Sequence, residues 1–308
     1  MIQSTYDLII VGSGITGLTA AKEAAQRGLR TACIESLLFG GLIVNINELD
    51  GIETGEPTSG ISLATGLMSE VVDLGVENIN ETVTAIRCEG STLRVFAESG
   101  EYRGKSLIVA SGAQMRRLDV PGEADFEHKG VSHCADCDGP MYKGKDVVVV
   151  GGGDSALQEA LVLAGYCGRV YLLVRGSAFR AREHLASAVL LRNNIHVMWT
   201  TVVEEVVGSQ AVEGVRIRCM SDGKKSNLRC AGVFPFVGLQ PNVSFVPLEI
   251  PRATDDTLVT DSALQTSVPG VFAAGIVRSG NGGLLSDAAS DARLAVSSVA
   301  AWLNHMSS

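Results

Sequence analysis

The chain has 308 residues, 46% of them hydrophobic, and carries 25 Lys plus Arg against 34 Asp plus Glu, a formal charge of −9. At about 150 residues per domain this length predicts two domains with ample chain to bury a core, and the acidic balance argues against nucleic acid or an anionic membrane surface as partner. Mean hydropathy is +0.23, yet glycine, charged and hydroxyl residues interrupt every apolar stretch before the roughly 18 residues that cross a bilayer.

No basic region precedes Leu8-Ile9-Ile10-Val11, and that run ends in a glycine pattern, so the start of the chain reads as part of the fold and the protein as cytoplasmic. The apolar run predicts a strand, followed by Gly12-Ser13-Gly14-Ile15-Thr16-Gly17 and a helix to Arg27. In a G-x-G-x-x-G turn the first glycine permits the tight bend and the second lets backbone approach a pyrophosphate. The third lets the helix pack closely on the strand, and the helix N-terminus faces the phosphates. A second strand over residues 30–35 ends in Glu35, 21 residues past Gly14. A carboxylate at that distance accepts from ribose hydroxyls, which favours an adenosine without a 2′-phosphate, such as FAD or NAD.

Residues 61–74 have helical periodicity, residues 83–97 alternate like a hairpin around Glu89-Gly90-Ser91, and residues 105–110 form a short buried strand. Seven cysteines, at positions 33, 88, 134, 137, 167, 219 and 230, are too scattered for the disulfide framework of a small secreted domain. Only Cys134 and Cys137 stand close, within Ser132-His133-Cys134-Ala135-Asp136-Cys137-Asp138-Gly139. Two thiols at this spacing close a small disulfide ring, and a nearby helix N-terminus or cation makes one of them a competent nucleophile. A zinc half-site is the alternative, but there is no second C-x-x-C and no histidine at matching spacing, so no metal is expected. Asp138 is placed to serve the dithiol as proton donor or acceptor, or else simply to start the turn at Gly139.

The strand-turn-helix plan then recurs 139 residues after its first copy, as Val147-Val148-Val149-Val150-Gly151-Gly152-Gly153-Asp154-Ser155-Ala156. Two copies imply two dinucleotide sites. The strand at residues 169–174 ends in Arg175 instead of an acid, with Arg180 five residues on. Cations there suit a 2′-phosphate; with Arg182 they also read as solvated charges at a helix start. Residues 195–207, 212–220 and 227–237 resemble an antiparallel excursion, residues 271–274 a last strand and residues 285–303 a final helix. The class is α/β, with helices packed on mostly parallel sheets.

Taken together, these motifs resemble the low-molecular-weight thioredoxin reductase-like family of two-domain pyridine nucleotide-disulfide oxidoreductase flavoproteins. Besides both glycine turns and Cys134-Ala135-Asp136-Cys137-Asp138-Gly139, the resemblance rests on Ala110-Ser111-Gly112-Ala113, Val120-Pro121-Gly122-Glu123, residues 234–242 and Pro269-Gly270-Val271-Phe272-Ala273-Ala274-Gly275. It implies two Rossmann-like dinucleotide-binding domains, the second inserted into the first, each with a small antiparallel β excursion. The FAD-binding domain would comprise residues 1–115 and 243–308, and the pyridine-nucleotide domain residues 116–242. FAD contacts are implied for Gly12, Gly14, Gly17, Glu35, Gly40, Gly41, Asn47, Ser111, Gly112 and Gly275. Nicotinamide nucleotide contacts are implied for Gly151, Gly153, Asp154, Ser155, Ala156, Arg175 and Arg180. Electrons would pass from NADPH or NADH through the flavin to the disulfide, with Cys137 facing the flavin, Cys134 attacking the partner and Asp138 as general acid. The implied partner is a thioredoxin-like protein, a lipoyl group or a small-molecule disulfide or dithiol, and the implied assembly a homodimer.

Six positions depart from the family pattern. Ile276 stands where the family has an Asp that binds the flavin ribityl chain, Gly282-Gly283 where it has Arg-Gln, and Leu42 where it has Gln after Gly40-Gly41. In the 2′-phosphate motif Val174 and Gly176 replace His and Arg, and each missing charge-assisted bond removes about 1.5–3 kcal/mol. Three readings therefore stay open on the sequence. One is an NADPH- or NADH-fed disulfide reductase; another is a flavoenzyme without pyridine nucleotide, either ferredoxin-fed or an oxygen-dependent dithiol oxidase; the third is a redox-sensing flavoprotein that does not turn over.

Overall fold

The computed structural model describes residues 5–46, 49, 59–89 and 92–306. By its contacts the chain divides into two compact units, Met1–Gln114 with Gln240–Ser308, and Met115–Leu239.

Unit 1 is built on a five-stranded parallel sheet. In chain order its elements are β1 (Leu8–Val11), α1 (Ile15–Gln26), β2 (Thr31–Glu35), α2 (Gly60–Asp73), β3 (Glu77–Asn80), the antiparallel β4 (Val83–Glu89), β5 (Thr92–Ala97) and β6 (Gly100–Gly104), and then β7 (Leu107–Val109). The chain leaves the unit through β8 (Ala113–Met115). The four fully apolar residues of β1 are buried on both faces, as a central parallel strand demands. Leu8 and Ile10 face a cluster with Leu18, Ala21, Val71 and Val296, and Ile9 and Val11 face one with Ile86, Leu93 and Val95. Helices therefore cover one face and the three-stranded sheet covers the other.

Unit 2 repeats this plan with α3 (Ala135–Asp138), β9 (Asp146–Val150), α4 (Asp154–Ala164), β10 (Arg169–Leu173), α5 (Glu183–Leu190), β11 (Ile195–Met198), the antiparallel β12 (Thr201–Gly208), β13 (Val212–Cys219) and β14 (Lys225–Arg229), and β15 (Gly232–Pro235). The sequence expectation needs correction here. Residues 195–198 and 232–235 do not belong to the antiparallel excursion; they join the parallel sheet, ordered β11-β10-β9-β15. The chain returns through β16 (Leu239–Pro241) and completes unit 1 with β17 (Val271–Ala273) and α6 (Leu285–Met306). The unit 1 sheet is ordered β17-β7-β1-β2-β3.

In each sheet the strand order reverses beside the strand that precedes a glycine turn. The chain runs from β1 outward to β3 and then crosses to β7 on the other side of β1, and likewise from β9 to β11 and then to β15. The crevice at such a reversal, beyond the carboxyl ends of the strands, is where open α/β sheets bind ligands.

Phe234 lies in β15 with no exposed surface and meets Tyr142 edge-on at 5.5 Å between ring centroids. Phe234→Ala leaves a cavity in the unit 2 core and should destabilise the protein by about 3–5 kcal/mol, read as a lower urea midpoint. A loss below about 1 kcal/mol would show that the core relaxes around the void.

Candidate active site

At the unit 1 reversal, Gly12 follows β1 with φ +106°, and a Cβ there would overlap the Ala110 carbonyl. A Cβ on Gly17 would overlap the Gly12 carbonyl, so α1 packs directly on the turn. By contrast nothing lies within 4 Å of where a Gly14 Cβ would stand, and Gly14 begins α1 without a side-chain cap. The middle glycine thus opens onto free space in front of uncapped first-turn N–H groups, which is the room and polarity that a pyrophosphate requires.

Glu35 is fastened to the same turn. Its Oε2 accepts the Ser13 N–H at 2.8 Å, and Oε1 accepts the N–H groups of Ser36 and Leu37 at 2.8 and 3.1 Å. A carboxylate offers about four acceptor positions, so lone pairs are left for ribose hydroxyls. Gly40 donates its N–H to the Ser13 carbonyl at 2.7 Å, and a Cβ on Gly41 would lie 3.4 Å from Gly14 Cα. After β7, Ser111 Oγ donates to the Asn242 carbonyl at 2.6 Å, Asn242 Nδ2 donates to the Ser111 carbonyl at 2.9 Å, and the Gly112 carbonyl accepts the Asn242 N–H at 3.0 Å. Gly275, after β17, touches the first turn of α1, where a Cβ would overlap Thr16. Nine of the ten expected residues therefore gather around the ends of the unit 1 strands, and these features fit a dinucleotide. Asn47 lies outside the described residues.

The second turn repeats the construction. A Cβ on Gly151 would overlap the Phe236 carbonyl and approach Ala156 Cβ at 2.6 Å, while Gly153 faces open space at the uncapped start of α4. Asp154 is engaged by a residue whose role the sequence left open: its Oδ1 accepts the Arg182 N–H and its Oδ2 the Arg182 Nε–H, both at 2.7 Å. Those bonds, the backbone one foremost, hold the Asp154 carboxyl below its usual range. Arg175 and Arg180 are exposed beyond β10, and the Arg180 N–H donates to the Gly152 carbonyl at 2.7 Å. Ser155 is exposed and Ala156 buried in the first turn of α4.

Cys134 and Cys137 form a disulfide with Cα atoms 5.3 Å apart. Cys134 caps α3, and its Sγ accepts the Cys137 N–H at 3.2 Å; the Asp138 N–H donates to the Cys134 carbonyl at 3.2 Å. Cys134 is half-buried and Cys137 exposed. The N–H directed at Cys134 Sγ favours a thiolate on that sulfur when the bridge is open. Glu159, on α4, accepts the Ala135 N–H at 2.9 Å and so ties α3 to the helix that starts at the second glycine turn. One helix positions both the phosphate turn and the disulfide. His133 Nε2 lies 3.5 Å from Glu127 Oε1. No group of three or more His, Cys, Asp or Glu among the described residues is arranged to hold a metal ion, and none of the described helices is long and apolar enough to cross a membrane.

Two dinucleotide turns on parallel sheets, one of them braced to a redox-active disulfide, define a nucleotide-linked thiol-disulfide oxidoreductase. The chain belongs to the pyridine nucleotide-disulphide oxidoreductase family, which it matches over residues 6–292. A thioredoxin reductase of Treponema pallidum (strain Nichols) is 36% identical over 304 residues, covering 98% of this chain and 99% of that protein. Thioredoxin reductase of Lactococcus lactis shares the structure with a TM-score of 0.92 at 32% identity, over 98% of this chain and 100% of its own. That of T. acidophilum does so with a TM-score of 0.87 at 29% identity, over 98% and 99%. The chain is an enzyme of this oxidoreductase family.

Burial raises the Glu159 carboxyl above the usual range; the Ala135 N–H opposes this and the Asp136 charge adds to it. The folded protein therefore holds this proton more tightly than the unfolded chain, and the associated stability is full below the ordinary Glu value of about 4.3 and is lost as pH rises through the raised one. Glu159→Gln keeps an acceptor for the Ala135 N–H and carries no titrating proton. The melting temperature of the wild type, relative to this variant, should fall with rising pH from about 4.3 and level off once Glu159 is ionised. A difference constant from acid to neutral pH would refute the assignment.

Proposed function

We propose that the protein is an FAD-dependent disulfide reductase that uses NADPH or NADH and delivers electrons from the Cys134–Cys137 disulfide to a thioredoxin-like protein. The observation that carries this reading is the coupling of the disulfide to the second nucleotide turn through α4, with Glu159 accepting the Ala135 N–H at 2.9 Å. Similarity to thioredoxin reductases over nearly the whole chain supports it, and disfavours the ferredoxin-fed, oxidase and sensor readings.

Unit 1 binds FAD through Gly12, Gly14 and Gly17, with Glu35 on the adenosine ribose and Gly40, Gly41, Ser111, Gly112, Gly275 and Asn47 completing the surround. FAD, when bound, supplies a two-electron carrier between the reduced nicotinamide and the disulfide. Unit 2 binds the nicotinamide nucleotide at Gly151, Gly153, Asp154, Ser155 and Ala156, and Arg175 and Arg180 offer two guanidinium groups to a 2′-phosphate. Reduction of the bridge by two electrons leaves Cys134 as the thiolate favoured by the Cys137 N–H. Cys134 Sγ attacks one sulfur of the partner disulfide; that bond breaks, the leaving sulfur takes a proton from Asp138, and a mixed disulfide remains. Cys137 then attacks Cys134 Sγ, releases the second partner thiol and restores the bridge. The sum is one NAD(P)H and one proton consumed for each disulfide converted to two thiols. The reading extends to a cytoplasmic homodimer, which light scattering on the purified protein checks for assembly.

Cys134→Ser should reduce turnover of a thioredoxin disulfide at least a thousandfold and still allow NADPH to bleach the flavin band in one anaerobic turnover. Retained turnover removes Cys134 from the chemistry. A flavin that neither NADPH nor NADH bleaches, in wild type that a dithiol does bleach, hands the function to the pyridine-nucleotide-independent reading. Turnover with a lipoyl compound but not with thioredoxin replaces the partner.

A further inference from the structure

We propose that Asp291, on the second turn of α6, is a positioning residue that holds the segment from Gly275 to Gly283 in the form that receives FAD. This rests on the FAD reading above. Asp291 and Glu123 are the two buried acidic residues among the described residues, and Glu123 is spent on the N–H groups of Leu118 and Asp119 in unit 2.

Asp291 Oδ2 accepts three donors: the Gly275 N–H at 2.9 Å, Arg278 Nε–H at 2.7 Å and Asn281 Nδ2–H at 2.9 Å. Its Oδ1 accepts Arg278 Nη2–H at 2.6 Å. The bonds spread further along the segment, because Arg278 Nη1 donates to the Ser279 carbonyl at 2.9 Å and Asn281 Oδ1 accepts the Gly283 N–H at 2.9 Å. One carboxylate thus sets the backbone from residue 275 to residue 283. At the near end, Gly275 has φ +80° and lies against Thr16 in the first turn of α1, beside the glycine turn.

The side chains of this segment have little to offer a ligand. Four of its nine residues are glycine, Ile276 is apolar, Val277 is buried, and Arg278 and Asn281 are committed inward to Asp291. What it presents to a dinucleotide is mainly backbone, and the position of that backbone is decided from behind by Asp291. Burial works against ionisation of this carboxyl, but the Arg278 bonds, the Gly275 N–H and Asn281 outweigh it and hold it below its usual range. The anchor is therefore charged at neutral pH.

The test uses the full-length holoprotein. Asp291→Asn should weaken FAD binding at least tenfold, read as free-flavin fluorescence released on dilution, and should speed hydrogen exchange at residues 275–283 while amides of unit 2 keep wild-type protection. Asn281→Ala removes one of the four bonds and should show the same local exchange with a smaller rise, about threefold. A folded Asp291→Asn protein that retains FAD within twofold of wild type overturns the proposal. Where Asp291→Asn does not fold, unchanged FAD release and exchange in Asn281→Ala overturn it instead. A wild-type protein that holds no FAD sinks the FAD reading and this inference together, a result distinct from wild type and variant binding equally well.

Discussion

The structure depends on the absence of two side chains at the end of β1. Gly12 bends the chain at a φ that other residues resist, against the Ala110 carbonyl, and Gly17 lets α1 rest on the Gly12 carbonyl. A Cβ on Gly17 would push α1 off the Gly12 carbonyl, and one on Gly12 would push the turn off the Ala110 carbonyl that follows β7. That contact fixes where the first-turn N–H groups point. The surrounding residues are located by it in turn: Glu35 bonds the Ser13 N–H, Gly40 bonds the Ser13 carbonyl, and Gly275 abuts Thr16. Unit 2 obeys the same constraint with Gly151 against Phe236, although Ala156 shows that the third position tolerates a methyl group there.

This dependence explains what the sequence disclosed. Both strand-turn-helix units were legible because the turn requires glycine at fixed local spacing, a signal contained in a dozen residues. The C-x-x-C disulfide was legible for the same reason. The strands of unit 2 were harder: residues 195–198 and 232–235 are apolar runs adjoining true antiparallel strands, and residue pattern alone does not tell a parallel partner from an antiparallel one. Glu159, Arg182 and Asp291 were not legible as site residues. Their partners lie 24, 28 and up to 16 residues away, and nothing local marks which charged side chain bonds to a distant segment. The one hint was the 3.6-residue period of α6, which places residue 291 on the same face as Ala295 and Val299.

Glu159 and Asp291 perform comparable work by opposite electrostatics. Each reaches from a helix to a backbone N–H in a neighbouring segment, Ala135 in one unit and Gly275 in the other. Asp291 has a guanidinium partner that offsets its burial, so it remains charged and rigidly bonded. Glu159 has no such partner in its bond to Ala135 and lies near Asp136, so its proton is held more firmly than in water. Breaking a buried ion pair by removing one member costs about 3–5 kcal/mol, because the other charge is left uncompensated, whereas an isolated carboxyl can be neutralised at modest cost. The asymmetry matches the tasks. A segment proposed to receive a nucleotide through its backbone would be served by a fixed anchor. The support beneath a disulfide, where each opening and closing moves electrons and protons, is served by a carboxyl whose ionisation is not locked.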